Sequence, residues 1–184
     1  MRYKRKEIEM KEYDEEKLKE IISRRISLFQ RKPETAMYRP KVSSRLISGM
    51  YSETSVRDHM IKSDFAEPAG GTNRAPNPIE LLLSAFAACI EASFYEFAVH
   101  KGIKINSLSI EVEGTLDLKG LFMIDKSTRP GFQDLTYVFN IESPDNEDDI
   151  RQLAEKVIEH CPVVESLINP VAVKGNININ SSIG

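Results

Sequence analysis

The chain has 184 residues, 41% of them apolar and 29% charged, with a formal net charge of −3. That balance describes a soluble globular protein with material for a real core, built as one domain plus a modest extension. It gives no general electrostatic reason to bind nucleic acid or an anionic membrane.

The basic cluster Arg2, Lys4, Arg5 and Lys6 is short enough to read as a solvated terminus. The N-terminal stretch is charged throughout and shows no secretory signal. The longest apolar run, Leu81 to Ile90, is about half of what a membrane span requires. Two cysteines are too few for a disulfide framework, so a cytoplasmic protein with reduced thiols is expected. His59, His100, His160 and the cysteines show no paired zinc spacing, and neither metal nor cofactor is expected.

In chain order, Asp14 to Gln30 reads as an amphipathic helix, with Leu18, Ile21, Ile22, Ile26 and Phe29 on one face. Lys32-Pro33-Glu34-Thr35 ends it, because proline disfavours helix in the residue before it. Residues 1–36 are taken as a helical extension and 37–184 as the main domain. Lys41 to Met50 and Ser55 to Ser63 read as two strands, joined by a polar connection at Tyr51 to Thr54.

A loop dense in Gly, Pro and Asn follows and leads into a helix from Asn77 to His100. Asn77 caps it, Pro78 suits its first turn, Glu80 favours the dipole, and Gly102 stops it. Its first half is apolar nearly all round, which predicts burial on several sides and a second subunit to complete that burial. Leu108 to Glu113 and Leu135 to Ile141 alternate as strands, and Asp145 to His160 forms an amphipathic helix. Cys161-Pro162 breaks that helix, Val163 to Ile168 forms a short one, and Val171 to Ile179 closes with a strand. Strands around one long buried helix make an α+β domain.

The two thiols carry the chemistry. Cys89 ends the apolar run, and Cys161 stands at a helix junction where Pro162 takes the first helical position. That placement leaves the Cys161 sulfur near free backbone donors, which lower a thiol pKa. Cys89 lies in an apolar helix, which raises a thiol pKa, so a cation must come from elsewhere. Gly70 and Gly71 serve a turn, since no Lys-Ser/Thr follows to make a phosphate cradle. His160 reads as structural, and Glu91 and Glu96 are expected on the outer edge of the helix.

The motifs come in a specific order. The loop Asp64-x-x-x-Pro68-x-Gly70-Gly71 precedes Asn77-Pro78-Ile79-Glu80-Leu81-Leu82-Leu83 and Ala87-Ala88-Cys89, and Cys161-Pro162-Val163 follows much later. This order resembles the OsmC/Ohr family (osmotically inducible protein C and organic hydroperoxide resistance protein) over roughly residues 40–182. The resemblance implies an α+β fold with antiparallel sheets around a long central helix, in an intertwined homodimer with sites at the subunit interface. It implies that Cys89 is the peroxidatic thiol and Cys161 resolves it, with an organic hydroperoxide as substrate and an external dithiol as reductant. In the family an arginine near the start of the sheet activates the first thiol, held by a glutamate after Asn-Pro. Arg57 is the best match for that arginine and Arg45 the second. The glutamate position is Ile79 here, with Glu80 one residue later, about 100° around the helix. Leu82, Phe86, Ile90 and Glu80 are the expected pocket residues. A non-enzymatic module binding an apolar or electrophilic ligand in the same pocket is the alternative.

Overall fold

The computed structural model describes residues 14–179; the basic cluster at Arg2 to Lys6 lies outside them. Helix α1 spans Glu15–Arg31, capped by the Asp14 carboxylate, which accepts from the Lys17 N–H at 2.9 Å. Acidic Glu15 and Glu16 begin it and basic Arg31 ends it, as the dipole favours. Ile22 is buried, and α1 lies against the later helix Pro78–Lys101 (α2). Arg25 pairs with Glu96 at 3.2 Å and the Tyr95 hydroxyl donates to Glu15 at 3.0 Å. An exposed pair of this kind is worth about 0–1 kcal/mol, so the apolar stripe seats the helix.

Three strands follow where two were expected. β1 (Ser43–Ser48), β2 (Tyr51–Val56) and β3 (His59–Ser63) form an antiparallel meander in that order. Tyr51 to Thr54 therefore belongs to the middle strand and is no connection, with Ser52 opposite Ser63 and Thr54 opposite Ile61. The turns fall instead at Gly49-Met50 and Arg57-Asp58, where Gly49 and Arg57 take φ of +54° and +53°. Leu46, Ile47, Met60 and Ile61 on this sheet are exposed.

The loop after β3 is tied to one carboxylate. Asp64 is buried and accepts from the N–H groups of Phe65, Thr72 and Arg74 and from the Thr72 hydroxyl, at 2.7–3.1 Å. The Thr72 hydroxyl and these N–H groups outweigh burial and hold the Asp64 carboxyl at about 2. Gly71 lies so close to the Phe65 backbone that a Cβ has no room there.

The expected capping signals of α2 all act. The Asn77 side-chain Oδ1 accepts from the Ile79 and Glu80 N–H groups, both at 2.9 Å, and the Glu80 carboxylate accepts from the Asn77 N–H at 2.7 Å. Gly102 ends the helix at φ +75°. Beyond it, β4 (Ser107–Leu116) and β5 (Phe132–Glu142) pair antiparallel, Ile110 opposite Phe139. A short helix α3 (Leu118–Leu121) and a wound loop separate them. Helix α4 (Glu147–His160) is capped by Asn146, and α5 (Pro162–Ile168) follows at once, with Cys161 shared between them as the last cap of one and the first of the other.

The core forms on one stripe of α2. Phe86, Ile90, Phe94 and Ala98 recur every fourth residue and pack with Leu153 and Val157 of α4, Cys161, and Val164 of α5. Phe139 of β5 closes the cluster, its ring 5.8 Å from that of Phe94. The architecture is α+β with antiparallel sheets, as expected.

The expected C-terminal strand needs correction. Residues 170–179 form no strand among the described residues, and Val173, at 91% exposed, shows how open they are. Their apolar alternation makes a strand face, but no strand among the described residues pairs with it. Within the single chain the first half of α2 is only partly covered, with Ile79 37% exposed. A window of α2 has mean hydropathy 1.5, enough by length and composition to cross a bilayer, though only 28% of it is buried.

Candidate functional site

The corner between α4 and α5 lies against the middle of α2, and it brings the two cysteines together across 72 positions of sequence. The Cys161 S–H donates to the Cys89 sulfur at 3.1 Å. Both thiols are free; Cys161 is fully buried and Cys89 half-buried, so Cys89 is the one a solute can approach. A disulfide needs a sulfur separation of about 2.05 Å, so closure demands that the two sulfurs approach by roughly 1 Å.

Local sequence explains the juxtaposition. Leu153 and Val157 face α2, so α4 runs along the core and delivers Cys161 there at its end. Pro162 lacks an N–H and cannot continue α4, yet suits the first position of α5. His160, next to Cys161, is turned away: its Nδ1 pairs with the Lys156 carbonyl at 2.9 Å.

Burial pushes the Cys89 thiol above its ordinary range, and the neighbouring Cys161 sulfur adds to the rise. The Val163 N–H and the Ser93 side chain act against it. Ser93 follows Cys89 by four residues and so shares its helix face, a spacing legible in the sequence that the reading of the motifs passed over.

The other expected site residues separate. Leu82 and Phe86 line a cavity of about 510 Å³ between α2, the start of β5, and α5. Ile90 is wholly buried in the core, so it packs the fold and does not face that cavity. Glu80 is exposed and engaged in the α2 capping box. Arg57 is exposed in the β2–β3 turn, and Arg45 lies on β1 opposite Glu53; neither is among the groups that act most on the Cys89 thiol. Glu91 accepts from the Ile110 N–H at 3.2 Å and so ties α2 to β4.

Comparison with known proteins places this geometry. Residues 71–175 match the family described as OsmC-like protein. The chain is 29% identical over 113 residues to a hydroperoxide reductase of Mycoplasma pneumoniae, covering 59% of this chain and 73% of that protein. It is 28% identical over 106 residues to a hydroperoxide reductase of Mycoplasma genitalium, covering 56% and 70%. In fold it is similar to the crystal structure of an OsmC-like protein from Mycoplasma pneumoniae, with a TM-score of 0.63 at 22% identity, covering 72% of this chain and 89% of that one.

Proposed function

The chain belongs to the OsmC-like protein family, and from that premise we propose that it is a thiol-dependent hydroperoxide reductase acting on organic hydroperoxides. The observation that carries the reading is the pair of free sulfurs at 3.1 Å, one half-buried and one fully buried. The names of its two Mycoplasma relatives, both hydroperoxide reductases, support the same reaction.

In this reading the Cys89 thiolate attacks one peroxide oxygen. The S–O bond forms as the O–O bond breaks, the alkoxide leaves and takes a proton as alcohol, and Cys89 becomes a sulfenic acid. The Cys161 sulfur then attacks Cys89, water leaves, and a disulfide forms that an external dithiol reduces by exchange. The burial of Cys161 suits the resolving role, since no solute reaches it first. Because burial opposes the Cys89 thiolate, the Val163 N–H and Ser93 are its local support in the single chain. Arg57, with Arg45 second, stays in this proposal as the activating cation that the family resemblance implies.

The same proposal includes a homodimer in a reducing, cytoplasmic setting. The exposed apolar residues Leu46, Ile47, Met60 and Ile61 of the meander, the uncovered side of α2, and the unpaired alternation of Val171, Val173, Ile177 and Ile179 are surfaces a second copy would cover. The raised Cys89 thiol favours one other reading, an apolar-ligand module without turnover.

Single-turnover oxidation of the variants separates the two. Cys161→Ser should stop at a sulfenic acid on Cys89 that dimedone traps, and Cys89→Ser should not react. Full peroxidase turnover by Cys89→Ser overturns the reductase reading.

A further inference from the structure

The 510 Å³ cavity has a polarity of its own. Leu82, Phe86, Leu135, Tyr137 and Val164 supply apolar walls, and the one cation on its lining is Arg129. Phe86 precedes Cys89 by three residues on α2, and Val164 follows Cys161 by three, so each wall residue lies one helical turn from a sulfur. The inner end of the cavity therefore abuts the core cluster that contains the sulfur site.

Arg129 belongs to the wound loop between α3 and β5, and its backbone is held from several sides. Gln133 Nε2 donates to the carbonyls of Arg129 and Gly131 at 3.1 and 3.3 Å. The Asp125 carboxylate accepts from the hydroxyls of Ser127 and Thr128 at 2.7 and 2.8 Å. Gly120 lies so close to this turn that a Cβ would stand 2.7 Å from the Thr128 oxygen and 2.8 Å from that of Arg129. The loop is thus wound tightly on α3 and carries Arg129 to the cavity. Its side chain makes no hydrogen bond or ion pair among the described residues, although Asp134 also lines the cavity. A guanidinium presents five donors in a planar fork that matches a carboxylate. An apolar enclosure beside such a fork suits a ligand with an apolar body and a carboxylate at one end.

We propose that Arg129 is a specificity-determining residue: it binds the carboxylate of an acidic organic hydroperoxide whose apolar body lies between Leu82, Phe86, Leu135 and Val164. Held in this way, the peroxide end faces inward toward the sulfur pair and the charged end stays at the rim. The inference deepens the reductase reading and rests on it for the reacting group, while the recognition of a carboxylate stands on the cavity alone.

The test is calorimetric, with the reduced full-length protein and two unreactive probes of equal shape, 4-isopropylbenzoate and 4-isopropylbenzamide. The acid should bind at least about tenfold more tightly than the amide, as a charge-assisted bidentate contact at the rim of an apolar cavity warrants. Arg129→Gln should bring the two affinities within about twofold of each other. Arg129→Lys should restore part of the ratio as a point charge without the fork. Arg129 is exposed, so unchanged melting temperatures are expected for both variants. Equal binding of acid and amide by the wild type, or a tenfold ratio that survives Arg129→Gln, overturns the proposal. Failure of the reductase reading shows elsewhere, as two thiols that survive cumene hydroperoxide, and leaves this binding ratio untouched.

Discussion

Leu153 is the residue through which α4 grips the core, and Leu153→Ala measures that grip. The side chain is 1% exposed and packs among Phe86, Ile90, Phe94, Val157 and Cys161. The substitution removes three carbons from full burial, roughly 2.4 kcal/mol at about 0.8 kcal/mol each. The surroundings are two helices and a sheet that cannot close fully on the gap, and the residual cavity raises the cost to about 3–4 kcal/mol. Urea unfolding of the reduced protein should show that loss as a lower midpoint with an unchanged slope. In a melting experiment it corresponds to a fall of roughly 6–16 °C for a chain of this size. A loss below about 1 kcal/mol would refute the packing argument, because it would mean that α4, and the Cys161 it delivers, do not rest on the α2 stripe.

Other consequences are equally concrete. Gly71→Ala has no room against the Phe65 backbone, so it should open the 64–76 loop and expose it to limited proteolysis; a variant as resistant as the wild type contradicts that close approach. The Asp64 carboxyl is lowered from its ordinary 3.8 to about 2 in the folded chain, so it stabilises the fold above about 3.8 and ceases to do so as pH falls through about 2. The stability difference between wild type and Asp64→Asn should therefore be constant at neutral pH and shrink across that acid window; a constant difference through the window counts against the assignment. Since burial raises the Cys89 thiol above 9.0, its alkylation by iodoacetamide should keep climbing with pH beyond the ordinary thiol range. A plateau at neutral pH would mean that a cation reaches the sulfur in the assembled protein.

Legibility in the sequence followed the strength of local signals. Asn77, Pro78, Glu80 and Gly102 bracket α2 with side-chain and backbone chemistry that acts within a few residues, so its ends were readable within a residue. The apolar stripe of α4, with Leu153 and Val157, and its end at His160 were readable too, while its start was set two residues early, at Asp145 for Glu147. The meander was misread because Ser52, Glu53 and Thr54 look like a polar connection, whereas they lie half-buried in a middle strand whose backbone pairs with a neighbour on each side. Its second turn was hidden as well: Arg57 takes a positive φ that glycine or asparagine usually announces. Both cysteines were recognisable from their settings, but their separation of 3.1 Å is a tertiary fact, created by α4 running back along α2. Ile90 was grouped with Leu82 and Phe86 because a helix apolar all round gives no means to tell core face from cavity face. Arg129 escaped notice because it stands in a loop whose winding depends on Gly120, Asp125 and Gln133 acting together.

The central claim is that Cys89 and Cys161 form one redox pair. Its most direct test is the intact mass and free-thiol count of the fully reduced protein before and after brief exposure to cumene hydroperoxide. The account predicts rapid loss of both thiols and the mass of an intrachain disulfide, with no change in oligomer size. Two thiols that remain reduced, or an oxidised Cys89 that never pairs with Cys161, would contradict it.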